Sequence, residues 1–228
     1  MNILVVVAHP DDPEFFAGGT LARWCAEGHH VRYVIVTGGD KGTDDPSMTL
    51  HRLVEMREAE QKNAAAVLGV KDVVFLHYVD GELANTLALQ KDIAREVRKF
   101  KADIIVTTDH ETVHYGASRI NHNDHRMIGI AVCDALFPAA NNRMYFPQLL
   151  LQGHEMHYPK EVYFAGAADP NTLVDVTNFI DKKIAAIRCH ITQIKDMDGV
   201  AKRIKSGALR MMADGSVHYI ENYRRVLL

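Results

Sequence analysis

No Cys-x-x-Cys pair occurs in this sequence. Its three cysteines, Cys25, Cys133 and Cys189, lie far apart. That argues against a disulfide framework and for buried thiols in a reducing compartment, so a cytoplasmic location is expected. No apolar run reaches the ~18–20 residues of a membrane span. The N-terminus runs straight into an apolar, strand-like segment, without the basic start and cleavage site of a secretory signal. Neither sign of charge dominates: 26 Lys and Arg against 29 Asp and Glu give a formal net charge of −3. Nothing therefore favours nucleic acid or an anionic membrane as a partner. The glycines make neither a Gly-x-Gly-x-x-Gly turn after the first strand nor a Gly-x4-Gly-Lys-Ser/Thr loop, which argues against a dinucleotide cofactor and a P-loop. Internal repeats and low-complexity linkers are also missing. What is plentiful is histidine, 13 residues in all, and their positions carry the information.

The apolar pattern alternates strand, loop and helix. Ile3–Val7 is a continuous apolar run of the kind buried on both faces of a sheet. It enters Ala8-His9-Pro10-Asp11-Asp12-Pro13-Glu14, and a helix follows from Phe15 to Glu27, stopped by Gly28. A second strand, Val31–Thr37, leads to a glycine-rich polar loop at 38–46 and a long helix, Leu50–Leu68, ending at Gly69. A third strand, Val73–Leu76, precedes a polar loop at 77–82, and Asn85 is placed to cap a helix running to Phe100. The fourth strand, Asp103–Thr108, opens into an aperiodic stretch, 109–121, that reaches His122-Asn123-Asp124-His125-Arg126 and a helix to Phe137. Four such units predict an α/β fold, a parallel sheet flanked by helices with right-handed crossovers. Beyond them lie an irregular stretch, 138–159, two short strands (Glu161–Phe164 and Leu173–Val176), an amphipathic helix over Asn178–Ile194 carrying His190, a helix over Val200–Met212, and a tail. His154 and His157, in the irregular stretch, fit a rim loop or a subunit contact. The expected organisation is one domain over 1–228, with a core over 1–137 and a smaller C-terminal extension over 138–228.

Ligands of such sheets bind at the carboxyl ends of the strands. The polar clusters at 9–14, 38–46, 77–82 and 109–125 all fall there. One imidazole and three carboxylates on a single tight turn are costly unless something compensates them, and a divalent metal does. Catalytic zinc usually has three protein ligands and one open position; His9, Asp12 and His125 supply such a set. Asp11 is then free beside the metal to take a proton from water. His122 is placed to stabilise an oxyanion and protonate a leaving group, and Asp124 to hold the ring of His122 or His125. The constellation suits hydrolysis of an amide or ester through a tetrahedral intermediate. A base that works as an anion and an acid that works as a cation predict a bell-shaped pH dependence. Arg57, on these grounds alone, is a solvated helix position paired with Glu58 or Glu60.

His9-Pro10-Asp11-Asp12-x-Glu14 with His122-x-Asp124-His125 resembles the LmbE-like, or PIG-L, deacetylase family. Arg57-Glu58 with the Ala-rich run to Leu68-Gly69, Lys183-x-x-Ala186-x-x-x-His190-x-Thr192-Gln193, and Glu221-x-Tyr223-Arg224 are similar to further motifs of that family, in the same order along nearly the whole chain. The resemblance implies a Rossmann-like fold, one zinc ion held by His9, Asp12 and His125, and Asp11 as base with His122 as oxyanion and acid residue. It also implies Arg57 and His190 as substrate contacts, removal of acetyl from a small N-acetylglucosamine-type substrate, and a homo-oligomer, trimeric or hexameric. Within the same chemistry, an amidase for a larger acyl group or a thiol conjugate is the alternative; a non-catalytic metal-binding module is the alternative from another class.

Overall fold

The computed structural model describes residues 1–228. Its elements follow the apolar pattern: β1 (Asn2–Val7), α1 (Asp12–Ala26), β2 (His30–Thr37), α2 (Leu50–Leu68), β3 (Asp72–Tyr78), α3 (Leu87–Phe100), β4 (Ile104–Thr108) and α4 (Asn123–Asp134). A two-stranded hairpin, β5 (His114–Tyr115) and β6 (Arg119–Ile120), interrupts the stretch before α4. After α4 come α5 (Pro147–Leu151), β7 (Glu161–Ala165), β8 (Thr172–Asp175), α6 (Ile180–Ile187), α7 (Met197–Ala208), β9 (Leu209–Met211) and β10 (Val217–Leu227). The main sheet has the order β3-β2-β1-β4-β7-β10-β8, with β9 paired to β10. The strands from β3 to β7 are parallel, and β10 is antiparallel to both β7 and β8.

Side-chain alternation divides β1 between two apolar layers. Leu4 and Val6 pack with Ile93, Val97, Ile128 and Val132 on one face. Ile3, Val5 and Val7 pack with Leu21, Tyr33, Leu68 and Tyr223 on the other. Both layers being apolar, β1 from Ile3 onward and the whole of β4 are buried, as central strands of a covered sheet must be.

Five expectations are corrected. The helix expected over Val200–Met212 is α7, Met197–Ala208, started by the Asp196 cap on Gly199 N, and Leu209–Met211 leaves it to pair with β10. The cap of α3 is Thr86, whose hydroxyl accepts from Leu89 N at 3.2 Å, while Asn85 donates to Asp134 Oδ2 at 2.6 Å. The helix expected over 178–194 ends at Ile187, so His190 lies beyond it. The helix expected to reach Phe137 gives way after Asp134 to a wider turn over Ala135–Ala140, where Pro138 lacks the N–H that would continue it. The tail is an eleven-residue strand, β10. Its period-2 pattern is hidden because Glu221 occupies a core position. That carboxylate accepts from Gly19 N (3.0 Å), Thr20 N (2.8 Å), Tyr223 OH (3.0 Å) and Lys183 Nζ (2.6 Å), and so binds β10 to α1 and α6.

Near the same edge, His218 lies 2.5 Å from Asp175 Oδ2 and 3.1 Å from Ser216 Oγ, the connectivity of a hydrolytic triad. Ser216 Oγ, however, donates to Asp214 Oδ1 at 2.7 Å. Its proton is spent inside the β9–β10 turn, and the group serves as a tie between that turn and β8.

Candidate active site

Four parallel strands and two helix starts deliver the polar residues to one rim. β1 ends at Val7, and Asp12 and Pro13 begin α1 immediately after a turn. The residue between ligand and turn, Asp11, adopts φ 97°, ψ −27°, a left-handed conformation that costs a non-glycine residue roughly 1–3 kcal/mol. This bend lets adjacent carboxylates do different things. Asp12 reaches His125, with Oδ1 at 3.0 Å from Nε2, whereas Asp11 reaches Arg57, with Oδ2 at 3.5 Å from Nη2. His125 is carried by the first turn of α4. That helix sits tightly on the end of β4 because a Cβ at Gly129 would stand 2.5 Å from the Thr108 carbonyl oxygen, and Thr108 Oγ1 donates to the His125 carbonyl at 2.7 Å.

The donor atoms of His9, Asp12 and His125 converge. His9 Nδ1 is 3.3 Å from His125 Nε2 and 3.5 Å from Asp12 Oδ2. Ligands bound tetrahedrally at 2.0–2.2 Å stand roughly 3.3–3.6 Å apart, so the spacing suits a metal ion. The far nitrogens fix the tautomers. His9 Nε2 faces Asp80 Oδ1 at 3.0 Å and Asp124 Oδ2 at 3.2 Å, and His125 Nδ1 faces Asn121 Oδ1 at 3.3 Å. Each far nitrogen donates its proton to an oxygen, which leaves a lone pair on each near nitrogen. Two lone pairs and a carboxylate pointed at one another repel unless a cation lies among them. The field shows the same demand. Burial opposes a charge on His9, yet hydrogen bonds to Asp12, Asp124 and Asp80 outweigh it and its pKa is pushed up to about 12. Three residues that pull a positive charge into a buried place fit a divalent metal.

The second triple of close donors, His9, His122 and Asp124, has its atoms already committed. Asp124 accepts from His9, from Gly81 N at 2.7 Å and from Leu83 N at 3.2 Å. Its expected grip on His122 or His125 is therefore corrected: it orients His9 and anchors the loop after β3. His122 Nδ1 accepts from Asp124 N at 3.1 Å, capping α4. That bond needs the nitrogen's lone pair, so Nε2 carries the ring's proton. Burial, with the repulsion of His9, holds its pKa below the usual value. Both the cap and the surroundings favour the neutral ring with its proton on Nε2, against the expectation of a cation. Asp11 moves the other way: burial and the charge of Asp12 outweigh Arg57 and raise its pKa to about 6.

Residues 4–136 match the PIG-L family, described as GlcNAc-PI de-N-acetylase. The chain is 31% identical over 196 residues to diacetylchitobiose deacetylase of Thermococcus kodakarensis, covering 86% of this chain and 71% of that one. The chain belongs to the PIG-L family. This PIG-L protein superposes on N,N'-diacetylchitobiose deacetylase from Pyrococcus horikoshii, complexed with its inhibitor MPG, with a TM-score of 0.86 at 27% identity, over 99% of this chain and 84% of that one. It shares its fold with GalB, the 4-carboxy-2-hydroxymuconate hydratase from Pseudomonas putida KT2440, at a TM-score of 0.79 and 21% identity over 100% of this chain and 96% of that one. Family membership makes it an enzyme, of a family of amide-cleaving deacetylases.

Two other expected site residues of this PIG-L protein have unexpected surroundings. Arg57 is buried rather than solvated. It donates to the carbonyls of Gly39 (3.0 Å) and Pro10 (2.6 Å), and Gly39, at φ +65°, leaves the space its guanidinium fills. It still borders the cleft. His190 does not. It is fully buried, with Nε2 at 3.1 Å from Glu14 Oε2, and its expected substrate contact is corrected to an internal one.

The cleft has two lobes that share Asp12, His122 and His125. One, of about 440 Å³, is polar and bordered by Asp11, Lys41, Arg57 and Asp80. The other, of about 470 Å³, is walled by Phe15, Phe16, Tyr115, Arg119 and Ile120. Asp80 and Asn121 went unrecognised in the sequence. Their only signal there was a place in polar loops at strand ends.

Proposed function

We propose that this protein is a zinc-dependent N-deacetylase that hydrolyses the acetamido group of a small N-acetylglucosamine-type substrate. The observation that carries the reading is the His9–Asp12–His125 donor set with a second carboxylate, Asp11, beside it and outside it. A set of two imidazoles and one carboxylate suits zinc, and the substrates named for the relatives supply the sugar class. When bound, zinc supplies Lewis acidity and makes a water acidic enough to lose a proton near neutral pH.

The chain's own groups then divide the work. Asp11 takes a proton from the attacking water as its oxygen bonds to the acetyl carbon. His122 donates from Nε2 to the oxygen that becomes negative, as a neutral electrophile at a helix start can. As the C–N bond breaks, Asp11 returns its proton to the nitrogen, and the acetyl group leaves as acetate with the amine taking up the remaining proton. The polar lobe, with Arg57 and Asp80, faces the sugar hydroxyls. The aromatic lobe supports a second reading, an amidase for a larger acyl group.

Acetate release from N-acetylated mono- and disaccharides, run beside the butyryl and octanoyl analogues, separates the two: the acetyl compounds should be cleaved fastest, and preference for octanoyl would favour the second reading. Protein purified without added metal should hold one zinc per chain, and His9→Ala and His125→Ala should each lose it; unchanged zinc in both variants overturns the ligand set.

His122→Ala should keep its zinc and lose ~10²-fold or more in kcat, the usual cost of an oxyanion donor. In the pH profile, the acid limb of kcat/KM should lie at or below the pKa of about 6 that Asp11 has without metal, because a bound cation favours its anion further. His122, whose pKa burial and the charge of His9 hold below the usual value, should contribute no alkaline limb, so any fall at high pH should persist unchanged in His122→Ala. Loss of that limb in the variant would restore the cationic acid.

A further inference from the structure

The left-handed turn at Asp11 is held by two side chains of one helix. Arg57 and Gln61 stand four residues apart on α2, hence on one face. Arg57 Nη2 donates to the Pro10 carbonyl at 2.6 Å, and Asp11 N donates to Gln61 Oε1 at 2.8 Å. That carbonyl and that N–H belong to the same peptide group. One turn of α2 thus grips both edges of the peptide that precedes the base.

The grip works only if the amide of Gln61 presents its oxygen to Asp11, and a primary amide can turn either way. Here it cannot. Gln61 Nε2 lies 3.0 and 3.1 Å from the two oxygens of Glu14, and a carboxylate accepts only. Turning the amide would set oxygen against carboxylate and N–H₂ against N–H. Glu14 is held in turn by His190 Nε2 at 3.1 Å. Glu14, Gln61 and His190 are all fully buried, so water cannot replace any of these bonds.

We infer that Gln61 is a positioning residue for the reaction: oriented by Glu14 and His190, it fixes the Pro10–Asp11 peptide and thereby keeps the Asp11 carboxylate clear of the ligand set. The inference gives Glu14 and His190, which touch no substrate, a place in the chemistry. It rests on Asp11 being the base, and one of the readouts below does not depend on the reaction.

The test is a double-variant cycle with Gln61→Leu and Asp11→Asn. Gln61→Leu should retain its zinc, leave KM within about threefold, and lower kcat by ~10–100-fold, the scale of a small misplacement of a reacting group. Added to Asp11→Asn, it should cost less than about twofold more, because a misplaced group that no longer reacts has nothing left to lose. The Asp11 amide proton, whose acceptor is Gln61, should exchange with solvent faster in Gln61→Leu, whatever the reaction turns out to be. If burying Leu beside Glu14 prevents folding, Gln61→Asn serves: it keeps an amide for Glu14 but is one methylene too short to span to Asp11, and the same three results are expected. Independent, multiplying losses in the double variant would overturn the inference, as would loss of zinc from either variant at position 61. Unchanged amide exchange would overturn the clamp itself, and faster exchange with unchanged kcat would place the failure in the assignment of Asp11 as base.

Discussion

Asp11→Asn will keep its metal and lose most of its turnover, ~10²–10⁴-fold, the range for removal of a general base. The substitution is close to isosteric. An asparagine oxygen can still accept from Arg57, and the peptide before it keeps both of its bonds, so the turn has no new reason to relax. What disappears is the ability to take a proton. Asp12→Asn should behave in the opposite way, because Asp12 faces His125 at 3.0 Å and His9 at 3.5 Å and its charge is what offsets the metal's. Zinc content and kcat/KM measured on both variants decide the matter. Metal lost from Asp11→Asn and kept by Asp12→Asn would exchange the two roles. The strain at Asp11 explains how neighbours in sequence come to differ so much: a right-handed residue there would continue into α1 and send the side chain elsewhere.

Glu221→Ala will destabilise the fold by about 3–5 kcal/mol, the cost of stranding one partner of a buried ion pair. Lys183 and Glu221 side chains are only 6% and 5% exposed, with 2.6 Å between charges. Removing the carboxylate leaves the ammonium buried and strips Gly19 N, Thr20 N and Tyr223 OH of an acceptor. Tyr223→Phe, which deletes the hydroxyl's hydrogen bonds to Glu221 and to Thr20 Oγ1 and leaves the pair intact, should cost about 1–2 kcal/mol. The pH dependence has a definite sign. Burial pushes the Glu221 carboxyl up, but the charge and hydrogen bond of Lys183, with the hydrogen bonds of Thr20, outweigh it and hold it below its usual 4.5. The contribution is therefore present above pH 4.5 and is lost as pH falls through the lower folded value. Urea unfolding of wild type and Glu221→Gln between pH 7 and 3 tests it: the difference between them should shrink toward the acid end, and a constant difference would place the stabilisation elsewhere.

Much of this architecture could be read beforehand where local chemistry and tertiary packing agree. The helix over Leu50–Leu68 has its expected bounds because Thr49 caps it through Arg52 N and Gly69, at φ +97°, ends it. The first strand was visible because it is apolar on both faces. β10 was not, since its core position at Glu221 is a charged group whose partners are found only after folding. The helix expected to carry His190 extends too far because an apolar spacing continues past Ile187 while the helix does not. At the rim, the spacing of His9, Asp12 and His125 pointed to residues that the fold does bring together. Asp80, Asn121 and Gln61 could not be found this way. Each acts on a residue 4 to 71 positions away through an oxygen aimed by tertiary structure, and a lone Asp, Asn or Gln in a sequence carries no mark of where its oxygen will point. Arg57 shows the converse, a charged helix residue that looks solvated until the glycines at 39 and 42 are seen to make room for it.

The position of β10 has a consequence for synthesis. It lies between β7 and β8, and its Glu221 closes on Gly19 N, 202 residues earlier. During translation at 5–20 residues per second, α1 therefore waits roughly 10–40 s for the group that fastens it. Through that interval the turn bearing His9, Asp11 and Asp12 is attached to a helix whose middle lacks this tie, and β7, once made, presents an open edge where β10 will enter. A ribosome-stalled chain ending before residue 217 should expose that edge to any strand or chaperone within reach.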